Sequence, residues 1–275
     1  MKKKKTINLL GCGWLGFPLA LDLISHDFAV KGSTTSPEKL QLLKSSGIDP
    51  ILVQFDHSLP EPDLSELLDA DILIISVPPG RRTADGPENY RKMGEILTAE
   101  IPKSSLSKLI FISSTSVYPD SNRVLTESSE ISPETTSGKV IAQVEKSLLA
   151  LPIQVIVLRL AGLFGPGRSP GRFFAGKTNI PNGLAPVNMI HLDEVIALIK
   201  TLIDSETANG VYIGSSPSHP TKAEFYSLAA RLDKLPEPEF IPEKLSWKII
   251  ESERVEKELG FSYKFPNLMD RLFQS

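Results

Sequence analysis

A short apolar run, Thr6 to Leu10, stops at glycine, and Gly11-Cys12-Gly13-Trp14-Leu15-Gly16 follows it directly. Leu15, Leu19 and Leu23 then recur at helical spacing. Pro18 is tolerated because the first turn of a helix has no internal donors to lose. A strand that stops at G-x-G-x-x-G and reopens as a helix constrains the fold more than any other feature here. Gly11 makes the tight turn, Gly13 lets a pyrophosphate approach the backbone, and Gly16 lets the helix pack against the sheet. The free N–H groups and positive end of the helix then face the phosphates. The motif alone is weak, and its strand–turn–helix setting gives it force. Cys12, Trp14 and Leu15 are the intervening residues of the loop. A reactive thiol at a helix start is physically allowed, but a small residue with no chemical task is the plainer reading of Cys12.

Strand and helix signals alternate beyond this unit. Phe28 to Gly32, Ile51 to Phe55, Asp71 to Val77, Leu109 to Ser113 and Val155 to Leu160 read as strands. Pro37 to about Ser45 and Tyr90 to Ile101 read as helices, and Ser132 and Pro133 as cap and first residue of another with Val140, Val144 and Leu148 on one face. The almost wholly apolar Asp71 to Val77 is expected to be central. Such alternation predicts an α/β fold, a Rossmann-type doubly wound parallel sheet. Ala161 to Pro186 is rich in Gly and Pro and reads as loops. Asp193 is expected to cap an amphipathic helix, Val211 to Ile213 to form a short strand, and Thr221 to Glu224 to be a capping box. Ser252 and Gly260 bracket the last clear helix. The Rossmann domain is assigned residues 1–160 and 187–213, and a small discontinuous C-terminal substrate region 161–186 and 214–275.

Composition removes several classes of function. With 275 residues, 41% hydrophobic and 23% charged, the chain has ample material for a core. A net charge of −3 with mixed signs offers no field for nucleic acid. The single Cys12 excludes an internal disulfide, and the scattered His26, His57, His191 and His219 argue against a metal site. Lys2 to Lys5 followed by Leu9-Leu10-Gly11-Cys12 has the outline of a lipoprotein signal. A secretory core needs ~7–15 apolar residues after the charges, whereas only Thr6 to Leu10 precede the cysteine, and Asn8 interrupts them. Lys2 to Lys5 therefore reads as the solvated start of the first strand. A soluble, cytoplasmic protein without membrane contact is expected.

Ligands of such sheets bind outside the carboxyl ends of the strands, so those ends supply the candidate residues. An NAD site usually offers a carboxylate roughly 20 residues beyond the glycines. Gly32-Ser33-Thr34-Thr35-Ser36 offers hydroxyls instead, which favours NADP, with NAD the alternative. No arginine clamps a phosphate there, and Lys39 is the nearest cation. Val77-Pro78-Pro79 ends the fourth strand as a turn beside the adenosine side, or as an ordinary strand exit. Ser113-Ser114-Thr115-Ser116-Val117-Tyr118 ends the fifth, its hydroxyls facing a nicotinamide or bonding their own turn. Arg168 and Arg172 either meet an anionic substrate or are solvated.

The chain resembles an extended or atypical short-chain dehydrogenase/reductase of the NAD-dependent epimerase/dehydratase kind, nearly end to end. Carrying the resemblance are Gly11 to Gly16, Ser113 to Tyr118, Arg159-Leu160-Ala161-Gly162-Leu163-Phe164-Gly165-Pro166-Gly167, His191-Leu192-Asp193 and Lys257 to Phe261. The glycine spacing is that of atypical members. The resemblance implies that Ser114 bonds the substrate oxygen and that Lys139, of a Tyr-x-x-x-Lys pair, holds the nicotinamide ribose. It also implies cofactor contacts at Ser113, Leu160, Ala161 and Gly162. The tyrosine position falls on Thr135, whose hydroxyl lacks the acidity of a tuned phenol, and Tyr118 falls at a structural position. Neither His191 nor Asp193 is given a catalytic role.

Two functions follow as expectations. One is an NADP-dependent oxidoreductase or epimerase acting on a small carbonyl or sugar-nucleotide substrate, with Ser114 polarising the oxygen and Lys139 fixing the ribose. The other is a nucleotide-binding sensor or regulatory protein that keeps the cofactor site without catalysis. A small-molecule substrate is the expected partner, and a homodimer is left open.

Overall fold

The computed structural model describes residues 4–80 and 85–273. Of the basic start, Lys2 and Lys3 lie outside the described residues, while Lys4 is exposed and paired with Asp27 at 3.2 Å. The strands are β1 (Thr6–Leu10), β2 (Ala29–Thr34), β3 (Asp49–Leu52), β4 (Ile72–Ile75), β5 (Lys108–Ser114), β6 (Arg123–Leu125), β7 (Gln154–Leu160), β8 (Gly162–Phe164), β9 (Met189–His191), β10 (Gly210–Gly214) and β11 (Lys248–Ile250). The α-helices are α1 (Gly16–Ser25), α2 (Glu38–Ser45), α3 (Ser65–Leu68), α4 (Gly86–Glu100), α5 (Thr136–Leu149), α6 (Leu192–Asp204), α7 (Lys222–Leu232), α8 (Arg254–Leu259) and α9 (Leu268–Leu272). Two compact units contain them. The first comprises Met1–Val117, Pro133–Leu158 and Glu206–Val211, and the second Tyr118–Ser132, Arg159–Ser205 and Tyr212–Ser275.

A Rossmann-like seven-stranded parallel sheet has the order β10-β7-β5-β4-β1-β2-β3. The apolar strands take its middle: Ile72, Leu73, Ile74 and Ile75 of β4 are all fully buried, as a central strand requires. Two strands are displaced from their apolar runs. β2 pairs Thr6 with Ala29 and β3 pairs Lys31 with Asp49, so both are set by ladder register instead of by hydrophobicity. Pro50 is tolerated in β3 because β3 is an edge strand. Asn8, fully buried in β1, donates its amide to the carbonyls of Glu66 and Leu67 at 3.0 and 2.9 Å.

The start of α5 corrects the expectation at Ser132 and Pro133. Thr135 is the cap, with extended backbone (φ −88, ψ 151), and its Oγ1 accepts the Gly138 N–H at 3.0 Å. The helix therefore begins three residues later than read, where a hydroxyl actually meets an orphan donor.

The second unit holds two short parallel pairs, β6 with β11 and β8 with β9, so the stretch read as loops after Leu160 includes a strand. Phe164, Val187, Met189, Phe225, Ala229, Leu268 and Leu272 form its core. The α7 capping box of Thr221 and Glu224 is present. His191, not Asp193, caps α6: its Nδ1 accepts the Asp193 N–H at 3.1 Å, because β9 runs into the helix without a loop. The helix bracketed by Ser252 and Gly260 starts instead after Glu253, and it ends at a left-handed Gly260 (φ 62). Glu127 accepts the N–H groups of Ile213, Glu253 and Arg254 and the Ser252 hydroxyl, tying β6 to distant segments of this unit. No helix among the described residues is long and apolar enough to cross a membrane.

Candidate functional site

The glycine turn is held open from both sides. Gly11 (φ +103) donates its N–H to Ser33 Oγ at 2.9 Å, and its carbonyl accepts from Ser76 Oγ at 2.6 Å. The Cys12 N–H donates to the Ser33 carbonyl at 2.8 Å. Side chains from the exits of β2 and β4 thus fix the backbone between β1 and α1. A Cβ on Gly16 would fall on the Gly11 carbonyl oxygen and 2.9 Å from Ser76 Oγ, so this glycine is required by the fold itself. A Cβ on Gly13 would meet nothing within 4 Å. Gly13 is thus exposed above free space, although no packing demands a glycine there.

The start of α1 has a second distinguishing property. Among the described α-helices, α1 alone has neither a capping side chain nor an acidic residue in its first turn. Its positive end is left uncompensated by the protein, as an anion site requires. Trp14 is half-buried and Leu15 buried there. Burial pushes the Cys12 thiol up to about 12, which removes it as a nucleophile. A Cβ on Gly32 would strike Cys12 Sγ, so Gly32 makes the room for that side chain.

The hydroxyls beyond β2 divide into different tasks. Ser33 is buried and serves Gly11, and Thr34 Oγ1 accepts the Ser36 N–H at 3.1 Å. Ser36 Oγ donates to Glu38, and Thr35 is exposed. Glu38 lies outside residues 32–36, and the first turn of α2 returns its carboxylate to that stretch, a contact with no signal in the sequence. At the exit of β4, Val77 lies against Gly11, Pro78 is exposed and Pro79 buried.

The exit of β5 is a chain of donors and acceptors. Ser113, buried, donates to the buried Glu145 of α5 and accepts the Ser114 N–H at 2.6 Å. Ser114 Oγ accepts the Ser116 N–H at 3.1 Å, so the hydroxyl keeps a proton it can still donate. Tyr90 of α4 is buried nearby, and burial, reinforced by the Glu145 charge, holds its phenol well above the usual range. Lys139 is exposed on the first turn of α5. Thr135, also exposed, has its hydroxyl turned onto the helix end. Glu145 had no signal beyond lying one residue from Val144 on the apolar face of α5.

The remaining candidates belong to the second unit. Leu160 and Ala161 are buried, and Ala161 donates to the Gly214 carbonyl at 2.9 Å. Gly162 is exposed and makes room for Met189. Arg168 and Arg172 are exposed. Tyr118 donates its hydroxyl to the Thr126 carbonyl at 3.0 Å and accepts from buried Arg159 at 2.7 Å, a structural arrangement. His191 lies between Arg271 (3.0 Å to Nε2) and the Asp193 backbone. Burial first, then the Arg271 guanidinium, hold its imidazole below the usual range, so it is neutral near pH 7.

Parallel sheet, glycine turn and hydroxyl-rich β5 exit together define a class: the fold is that of the extended and atypical short-chain dehydrogenases/reductases of the epimerase/dehydratase type. Human epimerase family protein SDR39U1 (isoform 2), solved with NADPH, matches with a TM-score of 0.74 at 18% identity, covering 98% of each chain. UDP-glucuronic acid 4-epimerase from Bacillus cereus, solved with NAD, matches with a TM-score of 0.76 at 18% identity over 97% of this chain and 96% of its own. No family model matches the sequence. Protein YeeZ of Escherichia coli (strain K12) is 40% identical over 268 residues, 96% of this chain and 97% of its own. The chain belongs to the YeeZ family.

Proposed function

We propose that this protein binds a nicotinamide dinucleotide at the Gly11–Gly16 turn and acts as an oxidoreductase or epimerase on a small carbonyl or sugar-nucleotide substrate. One observation carries the reading: Gly13 sits above open space at the uncapped start of α1, where its own fold asks for no glycine. A pyrophosphate is the ligand whose size and charge match that vacancy of side chain. Residues 11–16 would hold the pyrophosphate, Thr34 and Thr35 with Val77, Pro78 and Pro79 the adenosine side, and Ser113 and Lys139 the nicotinamide side. NADP is the form favoured by the hydroxyls of residues 32–36, and the solved neighbours carry NADPH in one case and NAD in the other.

When bound, such a cofactor supplies hydride acceptance and donation. The chain's own part is then to orient and polarise the substrate. Ser114 donates its free proton to the substrate oxygen, and the Ser113–Glu145 contact keeps the β5 exit in the geometry that frees it. Lys139 holds the ribose. Thr135 does not replace a phenol acid, because its hydroxyl is the cap of α5.

That same cap favours a second reading, a cofactor-binding sensor without turnover. Gly13→Val tests the shared part: it should leave the unfolding temperature unchanged and weaken NADPH at least ~100-fold in calorimetric titration. Unchanged affinity would refute the site. Thr135→Tyr and Ser114→Ala separate the two readings across a panel of carbonyl and nucleotide-sugar substrates. An oxidoreductase loses NADPH turnover with Ser114→Ala, typically ~10²-fold, and gains it with Thr135→Tyr. A sensor binds NADPH in every variant and turns over nothing.

A further inference from the structure

The turn after β2 carries a charge that the glycine turn beside it does not balance. Ser33 joins the two directly, its carbonyl accepting from Cys12 at 2.8 Å and its hydroxyl from Gly11 at 2.9 Å. Residues 34–36 therefore leave the sheet alongside the loop assigned to the pyrophosphate. Thr34 Oγ1 accepts the Ser36 N–H, which turns the chain, and the Ser36 hydroxyl then donates to the Glu38 carboxylate. The carboxylate is thereby drawn back toward the strand end.

Glu38 is exposed and makes no ion pair among the described residues. The cations nearby in sequence do not neutralise it: Lys31 lies 4.0 Å from Asp49, and Lys39 is exposed. The Ser36 hydroxyl, then its own backbone N–H, hold the Glu38 carboxyl below the usual range, so it is ionised throughout the neutral region.

The two dinucleotides differ by one phosphate, carried on the adenosine ribose next to the pyrophosphate. We propose that Glu38 is a specificity-determining residue: its carboxylate, held by Ser36 at the exit of β2, disfavours a dinucleotide bearing a ribose phosphate relative to one without it. The proposal rests on the dinucleotide reading of the glycine turn. It moderates the NADP preference expected from the hydroxyls alone, because the carboxylate absent from residues 32–36 is supplied four residues after Thr34 by a helix. One carboxylate repelling a doubly charged phosphate at close range through water-like surroundings gives an effect of up to about tenfold before screening.

The test is calorimetric titration of wild type, Glu38→Gln and Ser36→Ala with NADP and with NAD, at low salt and at high salt. Glu38→Gln should tighten NADP about three- to tenfold at low salt while NAD changes less than about twofold or weakens. Ser36→Ala, which frees the carboxylate, should move the ratio the same way by less. High salt should shrink the difference between wild type and Glu38→Gln, as screening demands and as a structural effect would not. A ratio that Glu38→Gln leaves unchanged, or an equal change for both dinucleotides, would overturn the assignment while leaving the glycine turn as the site. Wild type that binds neither form would overturn both. Glu38 is exposed, so its substitution leaves the fold intact, and circular dichroism confirms that each variant is folded.

Discussion

Two helices of the first unit treat the free N–H groups of their first turns in opposite ways. At α5, Thr135 turns its hydroxyl onto the Gly138 N–H and the helix end is satisfied from within. At α1 no side chain caps the end and no acid sits in the first turn, while Ser33 and Ser76 hold the preceding turn in place. One end is closed by its own sequence. The other is braced from outside and kept free. The contrast teaches where a ligand site is to be sought: less at the groups a helix start displays than where the protein leaves them unused although it easily could use them.

Glycine substitutions should break this comparison most strongly. Gly16→Val drives a side chain into the Gly11 carbonyl and Ser76, so it should destabilise the protein by about 3 kcal/mol or more, measured by urea unfolding. Gly13→Val should cost nothing in the same assay. Equal losses would mean that the loop is a packing feature with no reserved space.

A third helix start, at His191, makes the comparison pH-dependent. The folded imidazole is held below its usual value near 6.5, whereas the unfolded one titrates there. The unfolded chain therefore binds the extra proton, and the contribution is fully present above about pH 6.5 and lost as pH falls through the depressed folded value. Wild type should lose about 1–2 kcal/mol of unfolding free energy on this account between pH 7 and the acid side. His191→Asn keeps a capping side chain and should flatten that slope. An unchanged slope would place the acid sensitivity elsewhere.

The smallest effect belongs to α5. Thr135→Ala should cost about 1 kcal/mol of stability, and Thr135→Ser much less, with NADPH affinity unaltered in both. A loss of NADPH affinity in Thr135→Ala would instead give that hydroxyl a role at the cofactor and dissolve the contrast between the two helix starts.

The sequence made the first strand, turn and helix legible because glycine spacing and the leucine period point to the same residues. β4 was legible because Ile72 to Ile75 is apolar throughout, as burial on both faces demands. The pair β6 and β11 was not, since each has three residues and their pairing joins positions over a hundred residues apart. The His191 cap was hidden because histidine rarely caps helices and Asp193 stood ready for the same task. Around the site, the glycines announced themselves by type. Glu145, Ser76 and Glu38 did not, because each matters through a partner that only folding brings near.

The carboxylate of Glu127 has a consequence in time. Its partners Ser252, Glu253 and Arg254 are translated more than a hundred residues after it, and Asn122 likewise waits for Leu245 and Trp247. While a ribosome is still short of these residues, β6 has no β11 to pair with. The pairing of β6 and the contacts of Asn122 must therefore stay unmade through most of synthesis. Closing so long a loop is slow, and it leaves apolar surface uncovered until late. A nascent chain stalled near residue 240 should thus resist proteolysis across β1 to β5 and still be cut around Asn122 and β6.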